Sequence, residues 1–454
     1  MHVRWGGGLA TGTDQQYMGK TTTLELMQLE PPRGMRDFYP ADPDLRDRIF
    51  AAWTDASTLH GFQRFEPPVV ESFELLARKA GEEVAQQIYH FEDKSNRQLA
   101  LRPEVTPSLV RMISARPQDI VFPAKWWTIG QCFRYERMTR GRKREHFQWN
   151  LDIVGEPSVQ AEAWILACVT NALGALGLGP RDVRIHINNR QVVAYLLCEL
   201  GVPREQHVDV FMVLDKKGKV PVETMKELLA EKGLAAKAVD DVIGLLGGEA
   251  VDDLTAGPLA ASPAAEDLRR LLDLAGDMGF GEYLRFDSCV VRGLAYYTGA
   301  VFEGFDAERR FRAIFGGGRY DNLFGDMTGT GRPAVGMGFG DVVIGEILTE
   351  LKGFGPSKPK VEVCVGIFDA ALSRDAARVA GELVAAGIQT DLTFSAGKPG
   401  KFFGYADRRG ARFTVFLAPN ELREGAVAVK EMAGGEQSTV PLAELAGWLR
   451  VRLQ

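Results

Sequence analysis

The stretch Phe133-Arg134-Tyr135-Glu136-Arg137-Met138-Thr139-Arg140-Gly141-Arg142-Lys143-Arg144-Glu145-His146-Phe147-Gln148, continued through Trp149 and Asn150 to Asp152, decides how the rest of the chain is read. Between Arg134 and Glu145 six basic residues stand against two acidic ones, a surplus of cations that asks for an anion. Apolar, strand-like runs flank it, Lys125 to Phe133 before and Phe147 to Val154 after, so the pattern is a hairpin with a long basic loop. Guanidinium forks on such a loop grip phosphate bidentately. A solvated surface loop is equally basic. The following strand separates the two readings. With a period of two, Gln148, Asn150 and Asp152 share one face, and three polar side chains there need water or a polar ligand. The stretch reads as the centre of a site for a phosphate-bearing nucleotide.

Around it lie 454 residues, too many for one ordinary core, so two or three domains are expected. Charged and hydrophobic fractions of 25% and 45% are those of a globular protein rather than a disordered one. The net charge of -6 means that any polyanion must be met by local patches rather than by the summed field. Five scattered cysteines form no CxxC and imply reduced thiols in a cytoplasm. No apolar run approaches a bilayer span. Residues 1–30 carry Arg4, Asp14, Lys20 and Glu25 and no apolar signal core, and read as a flexible N-terminal extension. Gly19-Lys20-Thr21 there imitates the end of a P-loop, but Asp14 stands where the first glycine is required.

Three textures follow. From 31 to about 186 helical periodicity mixes with short strands: a helix over Leu45 to Leu59, a β-rich run from Phe62 to Val70 broken by Pro67-Pro68, and a strand over Arg184 to Ile187. A helical block, about 191–281, interrupts this unit, and β-rich texture returns from Tyr283 to Gly340. After the linker at 353–360, residues 361–454 alternate as β-α-β-α-β, with strands over Val361 to Ile367, Ile388 to Leu392 and Phe413 to Leu417. That pattern predicts a compact α/β domain with a largely parallel sheet.

Further clusters carry chemistry. In Leu101-Arg102-Pro103-Glu104-Val105-Thr106-Pro107, Glu104 and Thr106 share a face of a short extended segment and could bind an ammonium group; a turn with a surface ion pair is the competing reading. In Val291-Arg292-Gly293-Leu294-Ala295-Tyr296-Tyr297-Thr298-Gly299 an arginine beside glycine lets guanidinium and backbone approach an anion closely. Gly316-Gly317-Gly318-Arg319-Tyr320-Asp321 suggests close backbone approach to a ligand, or a turn.

Together these clusters, in this order and at this spacing, resemble the histidine–tRNA ligase family of class II aminoacyl-tRNA synthetases. The resemblance rests on Arg102-Pro103-Glu104-x-Thr106, Phe133-Arg134-x-Glu136-Arg137, Arg140-Gly141-Arg142, Arg292 to Gly299, Gly316 to Asp321 and the opening Gly34-Met35-Arg36-Asp37. It implies an α+β catalytic domain over 31–352, an antiparallel sheet flanked by helices with a helical insertion, followed by an α/β anticodon-binding-like domain over 361–454. It implies formation of histidyl-adenylate from L-histidine and ATP with Mg2+, then transfer of histidine to tRNA(His), by a homodimer whose interface lies near Phe62 to Glu71. The resemblance makes Arg134 and Arg292 catalytic. ATP would meet Arg134, Glu136, Arg142 and Arg292, and histidine would meet Glu104, Val105, Thr106, Gln148, Asp152, Tyr296 and Tyr297. Arg140 would face tRNA, with Lys398, Lys401, Arg408 and Arg409 from a basic cluster that also holds Arg412; a solvated helix face is the alternative for that cluster.

Three positions depart from the family pattern. Val343 stands where relatives carry the motif-three arginine, His146 where they carry an aromatic that stacks on adenine, and Ala295 where aspartate is commoner. A branch of the family that includes plant-organelle forms is similar in these changes. A lost cation–π partner costs about 1–2 kcal/mol of nucleotide binding unless another group replaces it, which leaves the hold on adenine open at this point. The rival reading is the non-catalytic paralogue that regulates an ATP phosphoribosyltransferase in histidine biosynthesis, which usually lacks the anticodon domain and degrades the Arg292 segment. Dehydrogenase and metal-hydrolase readings fail for want of a GxGxxG unit or clustered His and Cys ligands.

Overall fold

Alternation along the strands on either side of the basic loop sets the architecture. The computed structural model describes residues 29–39, 43–78, 86–214, 216–217, 220–244, 262–288, 290, 297–354 and 361–453. Its strands in chain order are β1 (Gln63–Arg64), β2 (Val70–Ser72), β3 (His90–Glu92), β4 (Gln98–Leu101), β5 (Ala124–Phe133), β6 (Glu145–Val154), β7 (Val183–Asn189) and β8 (Leu284–Phe286). Then come β9 (Ala300–Asp306), β10 (Phe315–Arg319), β11 (Ala334–Gly340), β12 (Val363–Ile367), β13 (Thr390–Leu392), β14 (Phe413–Leu417), β15 (Ala426–Glu431) and β16 (Gln437–Pro441).

The first unit is built on an eight-stranded sheet, ordered β1-β5-β6-β11-β10-β9-β7-β8, with a small sheet β2-β4-β3 beside it. Its central ladders are antiparallel, and only β1–β5 and β7–β8 at its two edges run parallel. One face of β6 points Trp149, Leu151 and Ile153 into the principal core. There Trp149 stacks on Trp53 of the helix Pro43–Leu59 at 5.7 Å, and Phe339 of β11 lies 5.2 Å from Trp53. Aromatic pairs at these spacings add roughly 0.5–1.5 kcal/mol each beyond the area they bury. Helices Gln160–Ala175 and Asp341–Lys352 close the same layer. The opposite face of β6 is left for the site.

The run from Phe62 to Val70 is broken at Pro67-Pro68 as expected: β1 and the start of β2 sit at its ends, and the Pro67 and Pro68 carbonyls accept from Arg102 Nη1 at 2.9 and 3.3 Å instead of from a sheet partner. Proline lacks the N–H a ladder needs, so a buried arginine satisfies the carbonyls. The helical block also divides. Val193, Leu197, Val210, Phe211, Met225, Leu229 and Val242 share a core of their own, whereas Ala264, Leu268, Leu271 and Ala275 of the helix Pro263–Asp277 enter the principal core.

The second unit has the sheet β13-β12-β14-β15-β16, parallel over its first three strands and antiparallel in the last two. The expected α/β alternation is present, with helices Ser373–Ala385 and Pro399–Arg408 between the parallel strands. The antiparallel extension and the closing helix Leu445–Leu453 have short, half-polar patterns and were not legible as such.

Candidate active site

Above the polar face of β6 lies an open cleft of about 250 Å³, walled by Glu104, Thr106, Gln148, Asn150, Tyr297 and Tyr320 at one end. At the other stand Arg134, Glu136, Gly141, Arg142, Lys143, His146, Arg312 and Val343. Its floor is glycine. Gly336 of β11 pairs with Asp152 and with Gly318 of β10, and Gly338 pairs with Asn150 and Gly316. A Cβ on Gly336 would lie 2.0 Å from Asp152 Oδ1, and one on Gly338 would lie 2.7 Å from Gln148 Nε2. Only the absence of side chains at Gly336 and Gly338, on the cleft face of β11, lets those of β6 lie across it.

At the polar end Gln148 Nε2 donates to Asn150 Oδ1 at 2.9 Å. Asp152 is buried and takes the Tyr320 hydroxyl on Oδ1 at 2.5 Å, while its Oδ2 has no hydrogen-bond partner. Burial outweighs that hydrogen bond and, with Glu104 nearby adding repulsion, pushes the Asp152 carboxyl up to about 7. Asp152 is not among the residues that wall the cleft; its buried carboxyl lies across Gly336 and is covered by Tyr320. Glu104 and Thr106 do line the cleft, but not from an extended segment: Val105 has αR backbone and Thr106 opens the helix Thr106–Ala115. Val105 turns its side chain into the core with Leu109, so what it can offer a ligand is backbone. Tyr297 is buried and its carbonyl accepts from Arg190 Nη1 at 3.0 Å.

At the basic end each guanidinium has a distinct engagement. Arg134 Nε donates to the Pro103 carbonyl at 3.0 Å, with Nη1 3.9 Å from Glu136. This ties the start of the basic loop to the Glu104 segment, so both ends of the cleft are positioned together. Arg142 Nε lies 2.5 Å from the other Glu136 oxygen. Arg140 is drawn outward to Glu350 at 2.5 Å and lies over the Phe311 ring at 4.6 Å. His146 lines the cleft and its Nε2 lies 3.3 Å from Gln148 Oε1. Burial, aided by Arg134 and Arg36 and opposed by the Gln148 hydrogen bond, lowers its pKa to about 4, so it presents a neutral ring at physiological pH. Phe147, one residue on, packs against Phe38 and Phe50 on the core side and cannot replace it. Val343, in the first turn of the helix Asp341–Lys352, puts an apolar side chain beside Gly141.

Arg292, Ala295 and Tyr296 lie outside the described residues, as does Gly19-Lys20-Thr21. In the second unit, Lys398 and Lys401 stand at the start of the helix Pro399–Arg408 and Arg408 and Arg409 at its end, roughly 15 Å apart along its axis. Arg409 is held by Asp391 at 2.7 Å, and Arg412 donates to the Leu453 and Arg452 carbonyls. The basic cluster is thus spread along the helix rather than gathered in one patch.

Several arginines inside the quoted motifs have roles that the sequence did not show. Arg36 reaches Glu145 at 2.6 Å and Asp341 at 3.0 Å, and Asp341 also accepts the Phe147 N–H at 2.9 Å. That clamp ties the start of β6 to the start of the Asp341–Lys352 helix and so fixes His146 relative to Val343. Arg319 follows the three glycines but does not face the cleft. It makes a two-pronged contact with buried Glu162 at 2.7 and 2.6 Å and donates to the Glu156 and Ser158 carbonyls. Arg102 is likewise buried, on the carbonyls of Gln131, Pro67 and Pro68.

Among the described residues no helix is long and apolar enough to cross a membrane. Residues 34–340 match the family model for histidyl-tRNA synthetase, and residues 361–452 match that for an anticodon binding domain. The chain is 42% identical to the chloroplastic/mitochondrial histidine–tRNA ligase of Arabidopsis thaliana, over 97% of this chain and 90% of that protein. It is 34% identical to the histidine–tRNA ligase of Opitutus terrae, over 92% and 97% of the two chains. Its fold superposes on the crystal structure of a histidyl-tRNA synthetase from a Nostoc species with a TM-score of 0.78, covering 94% of this chain and all of that one, at 24% identity. With a class II catalytic unit, a separate anticodon-type unit and relatives matched over nearly their whole length, the chain belongs to the histidyl-tRNA synthetase family.

Proposed function

We propose that this chain ligates L-histidine to tRNA(His) in two steps. A histidine carboxylate oxygen attacks the α-phosphorus of ATP, forming histidyl-adenylate as the bond to pyrophosphate breaks. A hydroxyl of the tRNA 3′-terminal ribose then takes the histidyl group and AMP leaves. The observation that carries the reading is one cleft with a row of polar groups, Glu104, Thr106, Gln148 and Asn150, at one end and Arg134 with Arg142 at the other. Its spread suits a molecule with an imidazole and an ammonium on one side and phosphates on the other.

In this reading Arg134 takes the α-phosphate while its Nε stays on the Pro103 carbonyl, so its fork is oriented before substrate binds. Arg292 is assigned to the same phosphate and to the histidine carboxylate by the motif it belongs to. Gln148, Glu104, Thr106 and Asp152, with Tyr296 and Tyr297, read the histidine. A neutral imidazole carries one donor and one acceptor, and a site offering both partners rejects apolar isosteres. The neutral His146 ring is the group available to lie against adenine. Mg2+ arriving with ATP supplies charge neutralisation on the phosphates. Glu136 at the basic end is the carboxylate suited to help hold it, in keeping with a metal that takes one or two carboxylates plus phosphate oxygens. Among the described residues no group of three or more acidic, His or Cys side chains forms a metal cage.

Lys398, Lys401, Arg408, Arg409 and Arg140 are proposed as tRNA contacts, and a homodimer is supported by the exposed Val69, Val70 and Phe91 around the small sheet. A reducing compartment, the cytoplasm, suits the free cysteines 132, 168, 198 and 364. The deciding experiment is histidine-dependent ATP–pyrophosphate exchange followed by charging of tRNA(His). Both activities in the purified chain are expected. Silence, combined with stimulation of an ATP phosphoribosyltransferase, would reverse the reading in favour of the regulatory paralogue.

A further inference from the structure

Position 343 puts an apolar side chain at the basic end of the cleft, and the same end holds a guanidinium that no motif in the sequence singled out. Arg312, on the segment between β9 and β10, lines the cleft with Arg142, Lys143 and Val343. A Cβ built on Gly141 would lie 3.2 Å from Val343 Cγ2 and 3.5 Å from Arg312 Cδ. The stem of Arg312 and the side chain of Val343 therefore flank the same glycine, and the two residues reach one neighbourhood from different elements.

The engagement of Arg312 differs from that of the arginines around it. Arg140 is paired with Glu350, Arg142 with Glu136, Arg309 with Asp287 and Arg310 with Glu308. Arg312 has no carboxylate within 4.0 Å among the described residues; its hydrogen bond is a 3.5 Å contact to the Thr139 hydroxyl. Lys143 shares that lack of an ion pair but is a single point charge without the planar fork that grips a phosphate bidentately. Partial burial and repulsion by Arg142 lower the Arg312 pKa, with Glu136 as the opposing influence. Two like charges facing one cleft are relieved by an anion between them.

We propose that Arg312 binds the terminal phosphates of ATP opposite Arg142. The assignment rests on the ligase reading above. It also accounts for valine at 343: an arginine there would press a further cation against Arg312.

The test is a swap, read by ATP–pyrophosphate exchange with thermal melting as a folding control. Arg312→Ala should raise the KM for ATP about 10- to 100-fold, the scale of a charge-assisted contact, and leave the KM for histidine within roughly twofold. Inhibition by AMP, which lacks the terminal phosphates, should hardly change. Arg312→Lys should fall between wild type and alanine. The double variant R312A/V343R should recover most of the ATP affinity, whereas V343R alone should weaken the wild-type enzyme. An unchanged KM for ATP in R312A, equal losses for ATP and AMP, or no recovery in the double variant would overturn the assignment while leaving the ligase reading intact. Absence of exchange in the wild type would remove both.

Discussion

Replacing Asp152 with asparagine should change how the stability of the protein depends on pH, and the structure sets sign and size. The carboxyl titrates near 7 in the folded chain against 3.8 for an ordinary aspartate, first because it is buried. Its folded pKa is raised, so between those values the folded state keeps a proton that the unfolded chain has released. Stability then falls as pH rises through this window and levels off above it. Between pH 5 and pH 8 the difference in proton binding integrates to about 2.5 kcal/mol. The side-chain amide of the D152N variant would still accept the Tyr320 hydroxyl but cannot ionise, so that slope disappears. Thermal melting at a series of pH values is the assay. For a catalytic unit of roughly 300 residues, the melting point of D152N relative to wild type should rise on the order of 4 °C from pH 5 to pH 8. A gap that stays constant across the range would refute the reasoning, because it would mean that Asp152 is ionised throughout.

Further expectations concern the walls of the same cleft. Gly336→Ala places a methyl 2.0 Å from Asp152 Oδ1, so the carboxyl must move; the KM for histidine should rise at least about tenfold with the KM for ATP nearly unchanged. Equal effects on both substrates would argue against the division of the cleft. Arg36→Met leaves the buried Glu145 and Asp341 carboxylates without their cation; breaking such a pair costs on the order of 3–5 kcal/mol, and a loss below about 1 kcal/mol in denaturation would contradict the clamp. Lys398→Ala with Lys401→Ala should weaken tRNA binding and flatten its dependence on salt by about one unit per lost phosphate contact, while pyrophosphate exchange is untouched. An unaltered salt slope would return that helix face to solvent.

How far the sequence reached depends on the range of the interaction that each feature needs. Strand alternation is local, so the common face of Gln148, Asn150 and Asp152, the hairpin of β5 and β6 and the α/β order of the second unit could all be read directly. Motif spacing then carried the family. The roles of individual arginines could not be read this way, because a guanidinium becomes structural or ligand-facing according to the carboxylate it meets, and those partners are distant in sequence. Arg319 is 157 residues from Glu162 and Arg36 is 305 from Asp341. The opening stretch shows the division. Its residues by themselves announced a basic loop beside a polar strand face. Tertiary packing drew Arg140 away to Glu350, buried Asp152 across Gly336 and raised its pKa, and brought Arg312 in beside Gly141. A periodic pattern states which side of a strand is polar; only burial and long-range charge pairing state which polar groups remain available to a ligand.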